Sequence, residues 1–357
     1  MEQDQSNLAQ SGDVNAVLDE LDVRAAEELQ PHPGVRRVSG ALGAILRMRE
    51  LSVLGAAALL FIGLSLSTRN FLDIDNLLLV ARQISLLAII ATGVTFLFIS
   101  QEIDLSIGSI YGFLVVLLAY LITKVGIDPW PAMAVMVIVG AGIGLANGLI
   151  TTRSGIPSFI ITLGMLSVLR GAALLLSGGW PILVRPPETH TWLSVTSGHA
   201  WGLIPTQVFW MAGIMLVASF VLTRTRFGAH VYATGGNQEA AILTGIPTKR
   251  VKTLCFALTG ALCGIAGGLL LGQVRSGFPT TGTGYELDII AAVVIGGTPL
   301  FGGAGSILGT LLGAAVLGMI TNGLVLLGAS AYFEPVAKGS IIILAMLVDI
   351  VVRRRRI

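Results

Sequence analysis

Polar and ionisable side chains that interrupt long apolar runs are the residues of this 357-residue chain best placed to do chemistry. Arg82 and Gln83 stand within one run, Glu102, Asp104 and Ser106 follow directly on it, and Asn147, Thr162, Arg170 and Asn322 fall in three others. A charge or an amide is costly in hydrocarbon, so each marks either a solute path or a partner inside the protein. Arg82 has two acidic candidates, Asp104 and Glu102. Asp104 and Ser106 also suit capping of the helix that follows, and Asn147 and Asn322 suit hydrogen bonds between helices as well as contact with a solute. Arg170 reads either as a snorkelling arginine or as one held in a structural ion pair.

Other chemistries are set aside by spacing. His32, His190, His199 and His230 are scattered, and the chain has no Cys-x-x-Cys pair, so no metal or other cofactor is expected on it. Cys255 and Cys263 lie eight apart in one apolar run, about 12 Å along a helix, too far to bridge. No Gly-x-x-x-x-Gly-Lys-Ser/Thr occurs, so the chain has no P-loop in which to cradle ATP phosphates.

The elements that would hold these residues are apolar helices. Hydrophobic residues make up 54% of the chain, charged residues 12%, and mean hydropathy is +0.84. A water-soluble domain carries roughly 25% charged residues, and half that cannot cover a water-facing surface. Aromatics are 6% while glycines number 45, a balance that suits close-packed transmembrane helices better than a barrel of alternating strands. A net charge of +2 gives no case for nucleic-acid binding.

Apolar runs near 51–67, 78–99, 106–123, 131–151, 158–176, 207–223, 251–273, 287–299, 305–328 and 336–352 predict an all-α polytopic fold of about ten transmembrane helices. The run 287–299 is too short to cross alone and predicts, with 305–328, a broken helix or re-entrant pair joined at Gly296 to Gly305. Residues 1–48 are acidic and polar and read as a largely disordered cytoplasmic tail; Val14, Val17, Leu18 and Leu21 recur there at the spacing of a short amphipathic helix. The membrane domain then occupies 49–357. Arginine and lysine cluster before the first run, after the fourth, around 224–252 and at Arg353 to Arg356, which places both termini in the cytoplasm. Arg353 to Arg356 anchor the C-terminus or bind anionic lipid. Trp180, Trp192 and Trp201 in the loop 178–206 suit an interfacial belt on the other side.

Asn147-Gly148-Leu149 and Asn322-Gly323-Leu324 recur late in two groups of four runs and make an inverted repeat a candidate. Glycines every four residues at 140 to 148, 260 to 272 and 305 to 313 form grooves in which a second helix packs closely. The loop 224–250 contains a surface helix by its local signals. Gly235 and Gly236 make a turn, Asn237 is a competent N-cap, Gln238 and Glu239 occupy the first turn, and Gly245 with Pro247 stops it. Local spacing alone leaves open whether this helix merely rests at the interface.

Four ordered stretches carry a resemblance. Tyr232-Ala-Thr-Gly-Gly-Asn-Gln-Glu-Ala-Ala-Ile-Leu-Thr-Gly245 resembles the coupling segment of permease subunits from bacterial ABC importers of the ribose, xylose and galactose type. Glu102-Ile-Asp-Leu-Ser-Ile-Gly-Ser109, Ile156-Pro-Ser-Phe-Ile-Ile-Thr-Leu-Gly164 and Ile295-Gly-Gly-Thr-Pro-Leu-Phe-Gly-Gly-Ala-Gly-Ser306 are similar to three further motifs of that family; Pro299 replaces an expected serine. The Glu-Ile-Asp-Leu-Ser form resembles the xylose branch. The resemblance spans roughly 50–352 and implies an inner-membrane importer subunit that translocates a monosaccharide or polyol by alternating access. Its implied partners are a second permease copy, a periplasmic sugar-binding protein and a cytoplasmic ATPase that holds the ATP and Mg. Gly235, Gly236, Asn237, Glu239, Ala240, Ala241 and Gly245 would then face the ATPase, and Arg82, Gln83, Asp104, Ser106, Asn147, Phe159, Thr162 and Asn322 become candidates for the solute path. Phe159 suits stacking on a sugar ring or packing in the membrane. Permeases for a nucleoside, a branched-chain amino acid or a furanose signal are alternatives, as is an ion-coupled secondary transporter.

Overall fold

The computed structural model describes residues 49–187, 190–330, 332–340 and 343. The amphipathic pattern of the tail, Arg353 to Arg356 and most of the run 336–352 lie outside the described residues.

Twelve α-helices account for most of the described chain: α1 (Arg49–Ser67), α2 (Ile74–Ile99), α3 (Ile107–Tyr120), α4 (Pro129–Ser154), α5 (Ser158–Ser177), α6 (Thr191–Ser197), α7 (Thr206–Arg224), α8 (Arg226–Gly236), α9 (Gln238–Leu243), α10 (Thr248–Val274), α11 (Tyr285–Ile295) and α12 (Ile307–Leu326). Seven of these segments, α2, α3 with its π-helical extension Leu121–Val125, α4, α5, α7, α10 and α12, are long and apolar enough to cross a membrane. α1 contributes a shorter apolar stretch, Leu51–Ser67, and α11 has 11 residues, below the length of a crossing. Nine of the ten expected runs therefore coincide with helices, and seven meet the length of a full crossing.

Local signals set the boundaries. α4 opens with Asp128 as N-cap, accepting from the Trp130 amide, and with Pro129 in its first turn; it closes at Gly155, whose φ of 74° L-residues rarely adopt. α10 lies at the centre, packed along α4, α2 and α3. The glycine rows explain the closeness of the α4–α10 pair. A methyl group on Gly144 would fall 2.1 Å from the Phe256 carbonyl oxygen, and one on Gly260 would fall 2.0 Å from that of Gly140. α12 packs in turn on α11, α2 and α1.

This packing is crossed. α10 leans on α3 and α4, while α2 leans on α11 and α12, and the two long helices meet each other where Gly93 abuts Thr259. At one end of the bundle, two short antiparallel pairings organise the connection between α5 and α7. Ile182–Leu183 (β1) pairs with Ser276–Gly277 (β4), and His199–Ala200 (β2) pairs with Ile204–Pro205 (β3). The opposite end carries α8 and α9 and the glycine-rich turn between α11 and α12.

Candidate functional site

Two groups of candidate residues come together and the rest are dispersed. The first group lies in the 224–250 loop. Two helices fill it where the sequence predicted one, because α8 runs through Gly235 and Gly236 instead of turning there. Asn237 breaks the run with extended backbone and its side-chain oxygen accepts from the Ala240 amide at 3.0 Å, so the expected N-cap is present. α9 then stops ahead of Gly245, which has a φ of 84°. Gly236, Asn237, Glu239, Ala240 and Gly245 are exposed, whereas Ala241 faces inward. Ile242 is 53% exposed and Leu243 88%, an apolar tip on a six-residue helix.

The base of this projection is wedged. The buried Gly235 lies so close to the end of α2 that a side chain there would overlap the Ile99 carbonyl. The Ile99 carbonyl accepts from the Gly303 amide at 2.9 Å, and the Tyr232 hydroxyl donates to the Gly305 carbonyl at 2.7 Å. The Gln101 side-chain amide donates to the carbonyls of both Gly235, at 3.0 Å, and Phe301, at 2.7 Å. The end of α2, the loop helices and the glycine-rich turn thus form one junction. Gln101 was not a sequence candidate; the available signal was a helix ending in Ser100-Gln101-Glu102 where a glycine would be expected.

The second group surrounds residues 100–106. Asp104 accepts from the amide and hydroxyl of Ser106, at 2.7 and 2.5 Å, and Asn147 on α4 donates to the Ser106 hydroxyl at 3.0 Å. Thr162 and Ser158, in the first turns of α5, accept from the amides of Leu105 and Ile103. Burial pushes the Asp104 carboxyl above its ordinary value, and the Ser106 and Asn147 hydrogen bonds oppose that rise. Asp104 therefore shapes the turn into α3, while Ser106, the N-cap residue, directs its hydroxyl to Asp104 rather than to the helix. The motif is a cross-link between α3, α4 and α5.

Arg82 pairs with neither of its expected carboxylates. It reaches His199 Nε2 at 2.8 Å, at the opposite end of the bundle, because the length of α2 separates it from residues 102 and 104. Glu102 pairs with Lys252 on α10 at 2.7 Å, both largely buried. Arg170 donates to the carbonyls of Pro279 and Thr281, each at 2.9 Å, a backbone clamp that fits the structural rather than the snorkelling alternative. Asn322 exchanges two amide hydrogen bonds with Asn76 on α2, the interhelical alternative. Phe159 is 47% exposed on α5. Gln83 lines a cavity of about 380 Å³ that also receives Tyr111, Tyr285, Asp288, Thr321 and Lys338. Among the described residues no group of three or more His, Cys, Asp or Glu could hold a metal ion.

Residues 76–351 match the family described as the permease component of the branched-chain amino acid transport system. The ribose import permease protein of Escherichia coli strain K12 is 39% identical over 85% of this chain and 94% of its own length. The chain belongs to this family of transport permeases. The Bacillus subtilis ribose import permease is 38% identical over 85% of this chain and 93% of its own, and the Escherichia coli xylose transport permease 31% over 82% and 88%. The xylose permease is thus no nearer than the ribose permeases, which removes the lean toward the xylose branch. No solved structure matches. As a member of this family the chain is a multi-pass membrane transport subunit, and the ion-coupled alternative falls away.

Proposed function

We propose that the chain is the transmembrane subunit of an ATP-driven importer of a monosaccharide, working as a homodimer by alternating access in the bacterial inner membrane. Relatives that cover most of this chain are named for ribose import and xylose transport, which favours a pentose over the other small polar solutes. The observation that carries the coupling half of the reading is α9. Ile242 and Leu243, 53% and 88% exposed, give this six-residue helix an apolar tip outside the membrane-length helices, a shape that suits insertion into a partner's cleft. A cytoplasmic ATPase with a cleft for α9 is that partner, and it supplies the ATP and Mg chemistry for which this chain has no P-loop. On this reading α8 and α9 lie in the cytoplasm together with both termini, and the loop 178–206 faces the periplasm, where a sugar-binding protein would dock. The crossed packing of α2 and α10 favours two inverted repeats, each completing the other.

The test is ATP hydrolysis and solute uptake in liposomes holding the chain and its cognate ATPase, with binding protein and a panel of pentoses, hexoses and branched-chain amino acids. Stimulation by a pentose-loaded binding protein supports the reading. Stimulation only by an amino acid replaces the substrate, and the absence of any ATPase association removes the coupling assignment.

A further inference from the structure

We infer that Gln101 is the positioning residue that ties movement of α9 to the membrane helices, an inference that rests on the coupling role proposed for that helix. The argument starts from backbone. α2 ends in a Schellman arrangement: the Glu102 amide donates to the Leu97 carbonyl at 2.9 Å and the Gln101 amide to that of Phe98 at 3.0 Å. Such an ending needs a left-handed residue just past the cap, and glycine is the usual occupant because a Cβ costs roughly 1 kcal/mol there. Here the occupant is Gln101, with a φ of 64°, one of three non-glycine residues with positive φ among the described residues. A glycine would close the helix with less strain.

The side chain supplies what glycine lacks. The amide nitrogen of Gln101 has two protons, and it places them on the Gly235 carbonyl at the end of α8 and on the Phe301 carbonyl of the glycine-rich turn. The surroundings are shaped to it: a methyl group on Gly302 would fall 2.3 Å from Gln101 Cγ. Gly235 is three residues from the start of α9, Phe301 is six from the start of α12, and Gln101 itself extends α2. One amide therefore connects the base of the coupling helix to two helices of the bundle, at a position whose backbone favours another residue. Strain kept at a site where the side chain bridges moving parts points to function.

Two variants separate positioning from folding. Gln101→Gly relieves the backbone and removes both hydrogen bonds; Gln101→Glu keeps the shape and removes the donors. Each is reconstituted in liposomes with the cognate ATPase and the loaded binding protein beside the unaltered chain, and uptake per ATP hydrolysed is measured with the thermal midpoint of the chain. Both variants are expected to lower uptake per ATP on the order of tenfold, about 1.4 kcal/mol of coupling, with the midpoint of Gln101→Gly equal to or above that of the unaltered chain. A ratio unchanged in both variants overturns the inference while leaving the importer reading intact. A fall that only tracks a lowered midpoint in both variants assigns Gln101 to folding and also overturns it. An unaltered chain that neither stimulates the ATPase nor supports uptake overturns the importer reading and the inference with it.

Discussion

Glu102 and Lys252 show how much rests on one pair. Their 2.7 Å contact joins the segment just after α2 to the second turn of α10, and each side chain is about nine-tenths covered. Breaking such a pair strands a charge in a place with little water. Lys252→Ala is expected to cost about 3–5 kcal/mol, read as a lowered thermal midpoint in detergent, while adding Glu102→Gln to it recovers most of the loss. His190 and Asp128 form an exposed counterpart. Asp128 is held below its ordinary 3.8, first by the Trp130 amide and then by His190. A depressed carboxylate contributes its capping above that value and loses it as pH falls further. Hydrogen exchange at the start of α4 should accelerate only below about pH 3.8, and a rise already at pH 5 would contradict this account.

At the scale of elements, α9 separates what faces outward from what holds the loop in place. Replacing Glu239-Ala240-Ala241 together by bulky residues would disturb folding, since Ala241 is 4% exposed. Leu243→Asp is the cleaner change. It is expected to weaken association with the ATPase on the order of tenfold without moving the thermal midpoint, and unchanged association in a pull-down would show that the tip is not the contact. The helices themselves were legible in the sequence because hydropathy is a local quantity: the run 158–176 became Ser158–Ser177, and 207–223 became Thr206–Arg224. Partnerships were not legible. Glu102 finds Lys252 150 positions away, and Arg82 finds His199 117 away, across contacts that depend on which helices cross. The doubled loop helix escaped notice because glycine pairs ordinarily end helices, whereas here Gly235 is the residue that lets α8 press against α2.

The whole molecule is organised about the crossing of α2 and α10. A methyl group on Gly93 would approach Thr259 Cα to 2.7 Å, backbone against backbone, with Thr92 and Thr259 both fully buried. Gly93→Val is expected to cost about 1–3 kcal/mol by overpacking. It should also reduce uptake with every solute alike, since it displaces both long helices; a loss confined to one sugar would argue that this crossing lines the solute path. The candidate site was thus only half visible beforehand. The motif residues Asp104, Ser106, Asn147 and Thr162 do converge, yet on one another and on backbone amides rather than on an open channel.

α10 spans 27 residues, about 40 Å of straight helix. One end begins five residues beyond the tip of α9, and at the other Arg275 accepts from Val184 while Ser276 and Gly277 pair with β1. The long loop between α5 and α7 is therefore fastened to the far end of the same stiff rod that α9 is hinged to. The two faces of the protein thus share one continuous helix, and a displacement of α10 along its axis would shift that loop and the start of the α9 connection together.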